Sequence, residues 1–348
     1  MAAEPFRLGF TRDCIKPDGK PAFDPAALEP LKQAAPGVAF EFMDAATAAI
    51  TPEQARRYDA IVTMRPAATR DSVAGKDKRL KLVSRFGVGY DNVDVPACTE
   101  AGVIVANTPE AVRRPVATII LGFVMALSLK LFKLDRLTRD GRWAERHDDM
   151  GVGLVGKTFG AFGAGSIGSE AFRLLQPLGM RHIACDPYAK PEAMKELGVT
   201  LVDKGTLLRT ADFVSISTPL TPETAKLVGG RELGLMKPTA YLINTSRGQT
   251  VDEQALYQAL KDRRIAGAAL DVFEQEPTPP DNPLLKLDNA IVTPHSLCHT
   301  DECFREIATS AIGAALSLAR GERPRFVVNP DALKHPDLAA YMQARKGN

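Results

Sequence analysis

Apolar residues along this chain fall in short runs of buried-strand length, separated by polar, glycine- and proline-punctuated stretches. In the first third such runs are Phe6–Phe10, Asp59–Met64, Leu80–Arg85 and Val103–Ala106, each predicted to be a strand. Pro17, Gly19, Pro21, Pro25, Pro30 and Pro36 break up the segment between the first of these and the next. After Gly156 the rhythm tightens. Thr158–Phe162, Arg181–Asp186, Phe213–Ser217, Ala240–Asn244, Ala268–Val272 and Ala290–Thr293 read as strands, with Ile167–Leu178 helical and Asp301–Arg320 a helix ending at Gly321. Alternating strands and helices of this kind predict βαβ units and a parallel sheet covered on both faces. The longest apolar stretch, Val116–Leu129, is interrupted only by Thr118, Gly122 and Ser128. Runs of this length are more often core helices than membrane spans. Pro115 ahead of it suits a first-turn position. The tail from Glu322, with its prolines and charged end, is expected to be a surface extension.

Composition narrows the class. At 348 residues, and about 150 per domain, the chain predicts two domains and enough core to need no staples. Lys+Arg 44 against Asp+Glu 42 leaves a net charge of +2, so no basic field favours nucleic acid or an acidic membrane. Five cysteines (Cys14, Cys98, Cys185, Cys298, Cys303) form no CxxC pair and read as reduced thiols of a cytoplasmic protein. Met1–Phe10 shows no secretory signal pattern.

Three segments carry candidate chemistry. Gly163-Ala-Gly165-Ser-Ile-Gly168 is G-x-G-x-x-G between a predicted strand and helix. The first glycine makes the tight turn, the second admits a pyrophosphate and the third lets helix and strand pack closely. Asp186 ends the next strand, where a carboxylate accepts from an adenosine ribose and repels a 2′-phosphate, favouring NAD over NADP. Arg247, in Asn244-Thr-Ser-Arg-Gly248, follows another strand, and its planar fork suits a substrate carboxylate. Asp271-Val-Phe-Glu-Gln-Glu276-Pro277 and Thr293-Pro-His295 follow the last two strands. A histidine beyond a strand end with a carboxylate to orient it is an arrangement for general acid–base work. Spacing alone leaves open whether Glu276 and His295 meet. A metal site from His295, Cys298, His299 and Cys303 is disfavoured, because Pro294 and the strand end keep the four off one helix face.

Together these segments resemble the D-isomer-specific 2-hydroxyacid dehydrogenase family over nearly the whole chain. Further carriers are Gly87-Val-Gly-Tyr-Asp-Asn-Val-Asp94, Asn107-Thr-Pro109, and Ser217-Thr-Pro-Leu220 with Thr224. The resemblance implies a two-domain α/β fold: a Rossmann-type doubly wound parallel sheet plus a flavodoxin-like substrate domain. Residues 1–112 would form the first part of the substrate domain, 113–296 the NAD-binding domain, and 297–348 a return to the substrate domain and a surface tail. It implies Arg247, Glu276 and His295 as the catalytic trio acting on a 2-oxo or D-2-hydroxy acid. Arg85 would lie at the substrate, with Val88 and Gly89 offering backbone amides to its carboxylate. The cofactor NAD would be lined by Thr108, Gly163, Gly165, Ser166, Ile167, Gly168, Asp186, Thr218, Pro219, Thr224, Thr245, Ser246 and Asp271. The stretch around Trp143 resembles the arm through which family members form homodimers. No metal, nucleic acid or membrane is implied. Ser296-Leu-Cys-His299 and Thr118 depart from the family pattern; Arg85, His299 and Arg113-Arg114 suggest a substrate carrying hydroxyl or anionic groups. The rival reading is a dinucleotide-sensing corepressor without turnover, since such relatives keep the cofactor fold.

Overall fold

A computed structural model describes residues 4–148 and 150–346 and divides the chain into two compact units, residues 1–112 with 299–348 and residues 113–298. Both are built on parallel sheets. In the first unit the strands are β1 (Phe6–Phe10), β2 (Val38–Phe42), β3 (Ala60–Thr63), β4 (Leu82–Arg85) and β5 (Ile104–Ala106), in the order β2-β1-β3-β4-β5. That is the flavodoxin-like order 2-1-3-4-5. β3 and β4 are buried at every position, which is why AIVT and LVSR lack the alternation of a half-solvated strand.

The second unit holds β6 (Thr158–Phe162), β7 (Arg181–Cys185), β8 (Val199–Leu201), β9 (Phe213–Ile216), β10 (Tyr241–Asn244), β11 (Gly267–Leu270) and β12 (Ala290–Val292). Their order, β12-β11-β10-β9-β6-β7-β8, is the doubly wound Rossmann pattern with an added strand. The order reverses between β6 and β9, and a doubly wound sheet binds its ligand beyond the strand ends at that switch point.

Two strands went unpredicted. β2 pairs with β1 along its length but is half-exposed, and its Phe40 and Phe42 pack on Phe10. β8 is a three-residue edge strand.

Two expectations are corrected. The apolar helix runs from Pro109 to Ser128, so Pro109 opens it and Pro115 lies inside. An interior proline cannot donate to the carbonyl four residues back. Here that carbonyl, Ala111 O, accepts from Cys303 Sγ at 3.8 Å, which replaces the missing partner. By length and composition this helix could cross a membrane, but Ala117, Ile120 and Val124 are fully buried in the core of the second unit. It is a core helix.

The C-terminal segment, in turn, is no surface extension. Val327 bridges Ala106, and the side chain of Asn329 accepts from Val105 N–H at 2.8 Å while donating to Val103 O at 3.0 Å. These contacts satisfy backbone groups along β5, an edge strand that would otherwise present them unpaired. The Pro336–Arg345 helix then donates Tyr341 OH to the buried Asp59 carboxylate at 2.9 Å.

Candidate active site

Three neighbouring strands, β10, β11 and β12, deliver the site's side chains from their carboxyl ends. After β10 the buried Asn244 organises the turn. Its amide donates to Arg247 O at 2.9 Å, and its Oδ1 accepts from Ser246 N–H at 3.0 Å. Arg247 is thereby held in extended backbone, with Nη1 donating to Ser246 O at 2.8 Å. Thr245 and Ser246 lie on this same turn.

Gly248 comes next, and it joins this turn to the one after β11. A Cβ there would lie 1.8 Å from the Phe273 carbonyl carbon and 2.3 Å from Glu274 N. Only glycine allows the two backbones so close. The second turn is tied further by Gln249, whose side chain donates to Glu274 O at 2.7 Å. A reciprocal pair adds to this: Glu253 N–H donates to Glu274 Oε1 at 3.1 Å and Glu274 N–H to Glu253 Oε2 at 2.8 Å.

Within that fixed turn Glu276 Oε1 accepts from Phe273 N–H at 3.0 Å, and Oε2 lies 2.7 Å from His295 Nδ1. A carboxylate only accepts, so Nδ1 carries the hydrogen and Nε2 is the nitrogen left for a ligand. The Glu276 bond raises the His295 pKa above the usual imidazole value, against partial burial and the nearby Arg247 charge. Burial works to raise the Glu276 carboxyl, but His295, the Phe273 amide and Arg247 outweigh it and hold the group below the ordinary carboxylate range. Each partner thus favours the charged form of the other, imidazolium and carboxylate.

The glycine turn lies after β6. Gly163 has φ +88°, and a Cβ on Gly168 would lie 2.3 Å from Gly163 O. Gly165, by contrast, has nothing within 4 Å of where its Cβ would be. It caps the Ser166–Leu175 helix without a side-chain partner, and the first-turn amides of Ser166, Ile167 and Gly168 have no acceptor among the described residues. Close by, the buried hydroxyls of Ser217 and Thr218 have no hydrogen-bond partner among the described residues. An open glycine, free helix amides and orphaned hydroxyls are what a dinucleotide's pyrophosphate would occupy. The residues present fit the cofactor. Asp186, after β7, accepts from Ala164 N–H at 2.7 Å and Tyr188 N–H at 2.8 Å, locking the glycine turn. Thr224 donates to Pro219 O at 2.6 Å and shapes its own turn.

In the first unit a second cluster forms after β4. The carbonyls of Gly87, Val88 and Gly89 accept from Thr108 N–H, Asn107 Nδ2 and Arg85 Nε at 3.1, 2.8 and 3.1 Å. With those oxygens turned into the protein, the Val88 and Gly89 amides have no acceptor among the described residues. Consecutive free amides form an anion-binding nest. Arg85 is buried beneath this loop, with Nη1 donating to Thr63 O at 3.1 Å. The Thr108 hydroxyl is buried and has no hydrogen-bond partner among the described residues. Of the polar residues advanced for a polar substrate, Arg85 has the partners given above, Arg114 pairs with Glu170 at 2.7 Å, and His299 packs against the Phe304 ring. They do not by themselves call for substrate polarity. Thr118 donates to Arg114 O at 2.9 Å within its own helix.

The family model for the D-isomer specific 2-hydroxyacid dehydrogenase NAD binding domain matches residues 121–296. A glyoxylate reductase of Korarchaeum cryptofilum is 39% identical over 285 residues, 81% of this chain and 86% of that protein. The chain belongs to the D-isomer-specific 2-hydroxyacid dehydrogenases. As a member of that family it is an NAD-dependent oxidoreductase acting on hydroxy and oxo acids. A D-3-phosphoglycerate dehydrogenase of Methanocaldococcus jannaschii is 40% identical over 80% of this chain, which spans about half (53%) of that longer protein. A solved glyoxylate reductase from Paecilomyes thermophila superposes with a TM-score of 0.79 at 26% identity, covering 94% of this chain and 99% of that one.

Proposed function

We propose that this dehydrogenase interconverts a small 2-oxo acid and its D-2-hydroxy acid, with His295 as the acid–base group and Arg247 as the carboxylate anchor. The contact of His295 Nδ1 with Glu276 Oε2 at 2.7 Å carries the reading, because it leaves a protonatable Nε2 at the strand ends in the same unit as Arg247. The nicotinamide of NAD, when bound, supplies or accepts the hydride at the substrate's C2. Gly163, Gly165, Gly168, Ser166, Ile167, Thr218 and Asp186 would hold that cofactor, with Pro219, Thr245, Ser246 and Asp271 beside it.

In reduction the His295 Nε2–H donates its proton to the carbonyl oxygen as it becomes a hydroxyl. Glu276 keeps the ring in the Nδ1–H form and stabilises its charge. In oxidation neutral Nε2 takes the hydroxyl proton. Arg247 pairs its guanidinium with the substrate carboxylate, fixing C2 relative to the imidazole. In the first unit the free amides of Val88 and Gly89 are also suited to a carboxylate, and Arg85 holds their loop in shape.

The names of the relatives, glyoxylate reductase and D-3-phosphoglycerate dehydrogenase, favour short polar 2-oxo acids over branched apolar ones. Glyoxylate, hydroxypyruvate, a phosphorylated 2-oxo acid and 2-oxoisocaproate, each with NADH, test this by loss of 340 nm absorbance. The polar set should lead by more than about tenfold in kcat/KM. His295→Ala should lower kcat by about 10²–10⁴-fold on the best substrate. Turnover of 2-oxoisocaproate equal to that of the polar acids would refute the preference.

We propose further that the protein is a cytoplasmic homodimer. The location is supported by five cysteines that are all free. Leu131, Phe132 and Trp143 are each more than half exposed on the Leu131–Arg139 helix and the turn after it, an apolar surface suited to a second copy.

A further inference from the structure

The backbone at His295 is unusual. It has φ +51°, in the left-handed region that a residue with a Cβ seldom adopts. The turn around it is closed by two bonds. His295 N–H donates to Thr293 O at 3.1 Å, and Ser296 N–H donates to Asp271 Oδ1 at 3.2 Å. That same Oδ1 accepts the Thr293 hydroxyl at 2.7 Å. One oxygen of a buried carboxylate therefore grips the chain on both sides of the histidine. The Thr293 hydroxyl also lies 3.3 Å from Leu270 O, but it has one hydrogen and the carboxylate is the closer and charged acceptor.

A strained conformation persists only where its surroundings over-determine it. Here Thr293 supplies the constraint that the backbone bonds lack. Without its hydroxyl, Asp271 Oδ1 has a single donor from this turn and can swing away. The turn can then relax, and the imidazole leaves the line that places Nδ1 on Glu276 Oε2. The charged groups acting on that imidazole are Glu276, Arg247 and Asp271, from the turns after β11 and β10.

We propose that Thr293 is a positioning residue for His295, its hydroxyl pinning the Asp271 carboxylate so that the turn stays left-handed and the imidazole stays on Glu276. The kinetic consequence rests on the acid–base role proposed for His295; the structural one does not.

Thr293→Val removes the donor and keeps the shape, and Thr293→Ser keeps the donor. The His295 imidazole is titrated by NMR in each, alongside kcat with glyoxylate and NADH binding by fluorescence. In the Val variant His295 should titrate at lower pH than in the wild type, because its Glu276 contact loosens. Its kcat at saturating NADH should fall about tenfold, and Thr293→Ser should restore both the titration and kcat. Thr293→Ala serves the same comparison should the Val variant fold poorly. An unchanged His295 titration in a folded Val or Ala variant overturns the proposal, whatever kcat does. Full activity in His295→Ala would remove the catalytic reading, and the titration would still decide the positioning.

Discussion

Substituting Gly248 by alanine should separate the turns that carry Arg247 and Glu276. The new Cβ would sit 1.8 Å from the Phe273 carbonyl carbon and 2.1 Å from its oxygen, where ordinary contact begins near 3.4 Å. The backbones must therefore part by more than 1 Å, because the obstacle is main chain and cannot rotate away. Overpacking of this kind costs about 1–3 kcal/mol. The alanine's less flexible unfolded chain returns about 0.4–1 kcal/mol, so the net remains destabilising. For a unit of this size each kcal/mol moves Tm by about 2–4 °C, so a fall of several degrees is expected. The catalytic effect should be larger, since a misplacement of about 1 Å can lower the rate about 10²-fold.

Gly165→Ala is the matched comparison. Its Cβ meets nothing within 4 Å and its φ of −65° suits any residue. Stability should change by less than about 0.5 kcal/mol, while the methyl group enters the space assigned to the pyrophosphate and raises KM for NADH. Calorimetry and steady-state NADH oxidation separate the two. Wild-type Tm and kcat in Gly248→Ala would refute the claim that these turns are jammed together, and unchanged NADH affinity in Gly165→Ala would refute the cradle.

Other expectations follow from the same geometry. Asp186→Ala should narrow the preference for NADH over NADPH, compared as kcat/KM, and lower stability by about 1 kcal/mol as the Ala164 amide loses its acceptor. In Glu276→Gln the carboxylate charge that raises the His295 pKa is lost, and a neutral amide oxygen is left as the weaker acceptor for Nδ1–H. Imidazolium then deprotonates at lower pH, so the fall of the reductive rate with rising pH should begin earlier; a pH–rate profile overlying the wild type would exclude Glu276 as the orienting group. Light scattering at micromolar concentration should give a dimer mass, and Phe132→Asp should shift it towards the monomer.

How much of this was legible in the chain depended on where each element sits in its sheet. Central strands such as β3, β9 and β10 are buried on both faces, so their sequences are mostly apolar and lack the alternation of a half-exposed strand. β2 and β8 lie at edges, where VAFEF mixes exposed and buried positions and VTL is only three residues. Pro115 misled for another reason. Reading it as a helix start is sound locally, but the thiol that accommodates it in mid-helix comes from Cys303, 192 residues from Ala111. Likewise the tail's prolines and charges concealed Asn329, whose partners are backbone groups of β5.

The candidate site shows the same division. Residue types at strand ends pointed to Arg247, Glu276 and His295, yet the contact between the last two spans 19 residues and needs two turns held in register. What could not be read were side chains whose partners are main chain, because backbone amides and carbonyls leave no mark in a sequence. Arg85 was read as facing substrate, and it binds the carbonyls of Gly89 and Thr63. Asp186 was read as a ribose acceptor, and its oxygens already take the Ala164 and Tyr188 amides, one each. The two roles are compatible. An ionised carboxylate has about four acceptor sites, so two remain for ribose hydroxyls after the amides are bound. Those amides also hold the carboxylate beside the glycine turn. If Asp186→Ala narrows the preference for NADH, the lock on the turn and the discrimination against a 2′-phosphate would be properties of the same two oxygens.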